Sequence, residues 1–574
     1  MAGAGATPGV LPREPSCWVR AAVPEAAEAL ARDGVPRPLA ELLARRGVAT
    51  AAEARAFLEP SLDQLHDPLG LAGVPEAVER LAAARERGEG VAVVGDYDVD
   101  GVSGTALLVA VLRHCGLRTE AILPHRMREG YGFQPVHVER AAELGCRVVV
   151  TVDCGTSSED AARRAAEAGL DVIVTDHHLP SCALPPGVVQ VNPRQDGCSY
   201  PFQELSGAGL ALKLAQALAR RLDRTPDPEA LLRVACLGTI ADLVPLVGEN
   251  RTIAALGLRA LATTRSPGLL ALIRQAGVRP PFSAADVGYR LGPRINAAGR
   301  LGDAAAALEL LLARDRETAA KLALRLDRFN RERQEAEGRV VDEAREAVRR
   351  RGDPAPIVVG WSDGWHRGVV GIAAGRLARD LRRPTVLLAV EGDEAVGSGR
   401  SIPGIELHGF LGRWKAELLR FGGHAQAVGL SVAAGRLEPL RALWEAAAAE
   451  WPAEAFAGRE EYELELGPAA VGDDLLTELA RLEPHGEGNR RPVARVGPLR
   501  LAGTPRVFGK RERKHLAAVA EGEDGARVSL LGWGWGGRLG ELAGRFEVLA
   551  HLERDRYTGG PTLRLIDSRP AGNG

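Results

Sequence analysis

Between residues 70 and 245, short apolar runs alternate with amphipathic stretches. Apolar runs of strand length fall at 91–94, 120–123, 147–152, 172–175 and 188–191, and helical patterns at 76–87, 105–115, 136–144 and 158–168 lie between them. Strands buried on both faces read as continuous apolar runs, and strict alternation with helices predicts an α/β fold with a doubly wound parallel sheet. Helical patterns continue at 205–222 and 229–237, and residues 250–350 read as mostly helical, interrupted at 292–303. The stretch 316–351 reads as one long helix, or two, charged on both sides, which predicts a solvent-bridging spacer between domains. A smaller α/β unit follows, with strands expected at 356–360, 384–390 and 428–432. Beyond 451 the period changes to two, at 515–520, 527–535, 546–553 and 562–566, with glycine turns, as in a small β-barrel. Helical pieces at 39–46 and 51–58 precede all of this in an N-terminal extension.

These breaks divide the chain into an extension packing on the core (1–69), a first α/β domain (70–315), a connecting helix (316–352), a second α/β domain (353–450) and a barrel (451–574). A chain of 574 residues can bury several cores. The formal net charge of −2 gives no global attraction to a polyanion, so such a partner needs a local patch. Seven scattered cysteines without a C-x-x-C argue against a disulfide framework or zinc knuckle and suit a reducing cytoplasm. No apolar run reaches membrane-spanning length, and the first residues lack a basic region followed by an apolar stretch; a cytoplasmic setting is expected.

The chemistry collects at strand ends. The run GDYDVDGVSGT (95–105) follows the first apolar strand, and an extended backbone would put Asp96, Asp98 and Asp100 on one face, with a helix starting near Thr105. Two more strands end in Asp153 and in Asp176-His177-His178, and Asp242 follows CLGTIA. In open α/β sheets, ligands sit outside the carboxyl ends of the strands. Carboxylates that converge must hold cations or keep protons. Mixed with imidazole they fit Mn²⁺, or Mg²⁺ with weaker histidine ligation; zinc is disfavoured without a thiolate pair. In the second α/β unit, GSGRS (397–401) and FGGH (421–424) are small enough for close backbone approach, and Ser398, Arg400, Gly423 and His424 suit a phosphate or sugar. In the barrel, which reads as an OB-fold, Lys510, Arg511, Arg513 and Lys514 form the densest basic cluster. With Phe508, Trp533, Trp535 and Tyr557 they suit single-stranded nucleic acid.

GDYDVDG, TVDCG, TDHH, GTIADLVPL, GPRINAAGRL, GWHRGVVGIAAGRL, GSGRS, FGGHAQAVG and PHGEGN occur in that order over nearly the whole chain. Together they resemble the RecJ family of single-strand-specific 5′→3′ exonucleases, in the DHH phosphoesterase superfamily. The resemblance implies a DHH domain, a connecting helix, a DHH-associated domain and an OB-fold. By position it makes Asp98, Asp100, Asp153, His177 and Asp242 metal ligands for two ions, Mn²⁺ or Mg²⁺. Asp96, Asp176 and His178 would support that shell or touch the substrate. Arg294, Asn296 and Arg300 would lie near the scissile region, and Ser398, Arg400, Gly423 and His424 would bind the terminal nucleotide and its 5′-phosphate. Arg126 is assigned a substrate contact, although His125 stands where the family more often has Asn. The implied reaction is metal-dependent release of 5′-mononucleotides from single-stranded DNA in recombination and repair. A single-strand-binding protein and a RecQ-type helicase are the implied partners of a monomer. A nano-RNase or nucleoside-bisphosphate phosphatase lacks the C-terminal barrel, and a non-enzymatic scaffold of the superfamily loses metal ligands that are all present here. A receiver-like domain would explain neither DHH nor GGH.

Overall fold

The computed structural model describes residues 16–126, 128–130, 132–352, 355–509, 514–555 and 558–572. The described chain forms two compact units that take turns along the sequence: residues 23–331 with 478–491, and residues 1–22 with 332–477 and 492–574.

The first unit is built on five parallel strands, β1 (Gly90–Gly95), β2 (Arg118–Ile122), β3 (Cys146–Val152), β4 (Asp171–Thr175) and β5 (Val189–Val191), in the order β2-β1-β3-β4-β5. Every residue of β1 is buried, because helices cover both faces. Each fully buried valine there contributes about 1.5–3 kcal/mol. The strand order reverses between β1 and β3, so the crevice that such sheets use for ligands opens at the carboxyl ends of these two strands. Helix α1 (Val99–His114) leaves that crevice, and α2 (Gly207–Arg221) and α3 (Pro228–Ala241) pack against it.

α1 starts earlier than the sequence pattern suggests, at Val99 and not near Thr105. The strand does not stay extended through Asp100; the Asp98 carboxylate caps the helix by accepting from the backbone N–H groups of Asp100 and Gly101 (2.9 and 3.1 Å). Gly101 and Gly104 lie inside the helix, where a Cβ would fall 2.5 Å from the Asp96 carbonyl oxygen and 2.7 Å from a Val152 methyl. Residues 292–303 likewise do not interrupt the helices: α4 (Gly292–Leu301) is a helix entered through a π-turn at Val287–Leu291. The long stretch is one helix, α5 (Arg316–Arg350), and the boundary between the units falls inside it.

Besides the short pairing of Cys17–Arg20 with Arg459–Tyr462, the described residues of the second unit form two sheets. One has the order β9-β10-β8-β7-β6, with β6 (Val358–Ser362), β7 (Thr385–Glu391), β8 (Glu394–Arg400), β9 (Arg420–His424) and β10 (Ala427–Ala433); α6 (Arg367–Leu381) packs on β7 and β8. GSGRS therefore lies largely in β8, and FGGH forms its own strand, β9, ahead of the strand expected at 428–432. The other is a barrel of β11 (Ala494–Leu501), β12 (His515–Gly522), β13 (Arg527–Gly532), β14 (Phe546–Arg554) and β15 (Pro561–Pro570), closed by pairing of β11 with β12. The N-terminal extension divides between the units: Cys17–Arg20 pairs with Arg459–Tyr462, whereas the helices from Ala26 onward belong to the first unit. No helix of the described residues is long and apolar enough to cross a membrane.

Candidate metal centre and nucleotide site

The carboxyl ends of β1, β3 and β4, with the end of α3, bring the acidic and imidazole groups together. Three groups each place ligand atoms within 4.8 Å of one another: Asp96, Asp98 and Asp153; Asp100, His177 and Asp242; and Asp153, His177 and His178. All five expected ligands are among them, and so are Asp96 and His178, to which the sequence pattern gives supporting roles. Asp153 belongs to two of the groups. His177 Nε2 lies 3.1 Å from Asp153 Oδ1 and 3.6 Å from Asp242 Oδ2.

Close approach of backbone makes this convergence possible. Asp100 is fully buried and accepts from the N–H groups of Gly207 and Ala208 at the start of α2 (2.6 and 2.9 Å). A Cβ on Gly207 would fall 2.5 Å from the Asp153 Cβ, and one on Gly238 would fall 2.3 Å from Asp100 Oδ1. Asp153 itself is in the left-handed region, φ 63°, and its N–H donates to the Thr175 carbonyl.

Crowding and burial raise the pKa of Asp96, Asp100, Asp153 and Asp242 when no cation is present. Burial first, then neighbouring carboxylates, pushes Asp96 and Asp242 up to about 8 and Asp100 up to about 7. The same causes raise Asp153 well above the carboxylate range. Burial pushes His177 down to about 4, so it is a neutral ligand near pH 7. His178 goes the other way: its Nδ1 lies 2.7 Å from Asp176 Oδ1, and that bond raises its pKa against burial. Asp176 is lowered although burial opposes it, because His178 and the Thr156 N–H stabilise the carboxylate. Among the described residues, Asp96 Oδ1, Asp153 Oδ1 and His177 Nε2 are buried with no hydrogen-bond partner. Buried polar atoms are nearly always satisfied, so three such atoms in one hard-donor cluster fit divalent cations that prefer oxygen and imidazole.

The surroundings contain residues that pattern alone does not single out. Asn192, at the end of β5, donates to the His178 carbonyl and to Thr156 Oγ1, tying the histidine pair to the sheet (2.8 and 3.1 Å). The Arg194 charge acts on both His177 and Asp242. Only their place just after a predicted strand, in VNPRQ, could have pointed to them. Arg126 lies 4.8 Å over the Tyr97 ring and its charge acts on Asp96. Arg300 acts on Tyr97 as well. Arg294 is engaged elsewhere, pairing with Asp327 of α5 at 2.9 Å and donating to the Arg290 carbonyl. Asn296 Oδ1 is buried without a hydrogen-bond partner.

In the second unit, β8, β10 and β9 place the other expected contacts in register. Arg400 and His424 both face Ala427 from opposite sides, and Ser398 and Gly422 both face Gly429. Arg400 and His424 are thus two strands apart on one face, about 10 Å. Gly371 and Gly375 of α6 leave room for the Ser398 hydroxyl and the Arg400 side chain beneath the helix. In the barrel, Trp533 is 55% exposed and packs edge-on against His515 and Phe508, with Arg506 over the Phe508 ring. Trp535 is buried. Lys510, Arg511, Arg513 and Tyr557 lie outside the described residues; Lys514 is described and exposed.

The fold and the acidic crevice define a DHH-type phosphoesterase architecture: residues 90–239 match the DHH family, N-terminal domain, and residues 355–450 the DHHA1 domain. Residues 462–567 match the RecJ OB domain. The chain is 38% identical over 458 residues to the single-stranded-DNA-specific exonuclease RecJ of Bacillus subtilis, covering 79% of this chain and 58% of that protein. It is 37% identical to the protein of the same name from Thermus thermophilus, covering 86% of this chain and 70% of that one. The crystal structure of Thermus thermophilus RecJ in complex with Mn²⁺ superposes with a TM-score of 0.80 at 32% identity, over 97% of this chain and 80% of that one. The structure of RecJ from the same organism with Mg²⁺ superposes with a TM-score of 0.76 at 30% identity, over 97% and 78%. The chain belongs to the RecJ family of single-stranded-DNA-specific exonucleases.

Proposed function

We propose that this protein degrades single-stranded DNA from its 5′ end, releasing 5′-mononucleotides, in DNA recombination and repair. The observation that carries the reading is the buried carboxylate–imidazole cluster, with its unpartnered ligand atoms, at the switch point of a DHH-type sheet. Two divalent ions, Mn²⁺ or Mg²⁺, held by Asp98, Asp100, Asp153, His177 and Asp242, would supply an activated water and charge neutralisation at the scissile phosphate. Asp153 belongs to two of the ligand groups, which suits a carboxylate shared between both positions. Asp96 adds a further buried carboxyl oxygen to this shell. His178, whose pKa the Asp176 hydrogen bond raises, offers its other ring nitrogen toward a phosphoryl oxygen or the departing 3′-oxygen. Arg126 on the Tyr97 face adds positive charge beside Asp96. Arg300 and Asn296 belong to α4, which approaches Tyr97 closely at Gly299. In the second unit Ser398, Arg400, Gly423 and His424 bind the terminal nucleotide, with Arg400 making the bidentate contact that a 5′-phosphate allows. The exposed aromatic group on the barrel, with Lys510, Arg511, Arg513 and Lys514, holds the strand without sequence preference. A single-strand-binding protein and a RecQ-type helicase as partners, and a monomeric state, rest on the family alone.

One long single strand, labelled at the 5′ end in one reaction and at the 3′ end in another, tests the reading in Mn²⁺. Labelled mononucleotide should come at once from the 5′ label while the 3′-labelled strand shortens gradually; the reverse pattern refutes the polarity. Arg400→Ala should erase any preference for a 5′-phosphorylated over a 5′-hydroxyl end. Equal slowing of both ends would refute the end-sensing role.

A further inference from the structure

Two large apolar side chains stand in solvent immediately after metal-centre residues. Leu243 follows Asp242 and is 72% exposed; Leu179 follows His178 and is 70% exposed. Isolated exposed leucines are ordinary. Leu243 differs because its backbone is left-handed, φ 62°, a conformation that glycine or asparagine adopts readily and a leucine does not. Strained residues persist where the surroundings over-determine them, and they gather at ligand sites.

The surroundings of Leu243 do over-determine it. The Leu246 N–H donates to the Glu487 carbonyl (2.7 Å), and Asn250 Nδ2 donates to the Pro245 carbonyl (3.1 Å). Gly486 and Gly488 of the PHGEGN run press so closely on Leu246 and Pro245 that a Cβ would come within 2.6 and 3.2 Å. Arg251 holds the residues just before that run by donating to the carbonyls of Leu482 and Glu483 (both 2.9 Å). The PHGEGN run thus braces the residues that follow Leu243 in the chain.

His178 and Asp242 are partly exposed members of the cluster, with side chains 49% and 23% accessible, and the two leucines follow them in the chain. His177 Nε2 lies 3.6 Å from Asp242 Oδ2, so the two residues that the leucines follow in the chain belong to one cluster. Charged and polar groups inside the crevice suit the phosphate and the cations. The apolar part of a nucleotide is the face of its base.

We propose that Leu243, the exposed residue that follows Asp242, packs against the base of a nucleotide flanking the cleaved bond and sets its position without reading its identity. The proposal rests on the single-stranded-DNA reading above and names one contact within it. The test uses the full-length protein with Mn²⁺ and 5′-phosphorylated oligonucleotides carrying a tetrahydrofuran abasic residue at the first or the second position. At one of these positions the wild-type protein should cleave the abasic strand about tenfold more slowly than the intact strand, the effect of losing an apolar contact of this size. Leu243→Gly, which relieves the left-handed strain, should melt no lower than the wild type and bring that ratio to about two or below, through a raised KM on intact DNA. Leu243→Met should restore the ratio. Anisotropy of the same oligonucleotides in EDTA supplies a readout without turnover and should show the same convergence. No abasic effect in the wild type at either position, or an undiminished effect in Leu243→Gly, overturns the contact. Failure of the wild type to shorten intact single strands is a separate result, and it removes the reading beneath.

Discussion

Asp153 adopts φ 63°, a conformation that costs a side-chain-bearing residue about 1–3 kcal/mol, and so places a carboxylate where Asp96, Asp98, His177 and His178 all reach it. Asp153→Ala should lower hydrolysis by at least about a hundredfold to a thousandfold while metal-free DNA binding stays unchanged. Turnover at the wild-type rate would refute its place in the centre. The raised carboxyls make a second prediction. A carboxyl whose native pKa is raised binds its proton more tightly folded than unfolded, so its contribution is present in acid and lost as pH climbs to the raised value. Asp100 loses it through about 7, and Asp96 and Asp242 through about 8. The raised His178 acts in the same direction as pH rises through its own value. His177, lowered to about 4, acts oppositely only below its ordinary 6.5. In EDTA the first unit should therefore melt lower at about pH 9 than at about pH 6.5, and Mn²⁺ should remove the difference. An unchanged melting temperature across that window in EDTA would show that the carboxyls are not held protonated.

At the scale of elements, the site depends on how closely helices approach strand ends. Gly238, inside α3, leaves room for Asp100 where a Cβ would come within 2.3 Å. Gly238→Ala should raise the Mn²⁺ concentration needed for half-maximal activity by about ten- to a hundredfold, the range for disturbing the support of a metal ligand. A titration indistinguishable from wild type would show that the contact is relaxed without cost. The same glycines explain what the pattern of the chain conceals. Apolar runs at 91–94, 147–152 and 172–175 locate the strands, and with them the residues at their carboxyl ends, because burial on both faces leaves a continuous signature. Gly101 and Gly104, by contrast, read locally as turn residues, yet they sit within α1 where neighbouring backbone and Val152 exclude a side chain. Asp98 reads as one tooth of an alternating row, yet it is a helix cap. Glycines in GSGRS and FGGH conceal strands in the same way, since their packing partners are distant in sequence. Asn192 and Arg194 stay hidden until the sheet brings β5 beside the histidines.

Across the whole molecule, composition shifts mark blocks in linear order, whereas compactness does not follow that order. Residues 478–491 have no apolar period that would assign them anywhere, and they belong with 23–331. Arg251 stacks on Phe57 with its guanidinium 3.8 Å from the ring centre and donates to the carbonyls of Phe57, Leu482 and Glu483. Burial, with the charges of Arg46 and Arg259 adding to it, pushes Arg251 down to about 9. A chain ending at residue 491 should hydrolyse a short phosphodiester reporter at least about tenfold faster than one ending at 477, since the shorter chain leaves these buried donors unpaired. Equal rates would show that the returning segment is dispensable to the crevice.

That returning segment also sets a clock during synthesis. After residue 331 leaves the ribosome, about 160 further residues must be added before 478–491 can seat, a wait of roughly ten to thirty seconds at bacterial elongation rates. Throughout that interval the turn bearing Asp242 lacks its brace. The nascent chain should therefore remain a poor nuclease until residues 478–491 have been translated, and a chain arrested before residue 478 should shorten single strands more slowly than the finished protein.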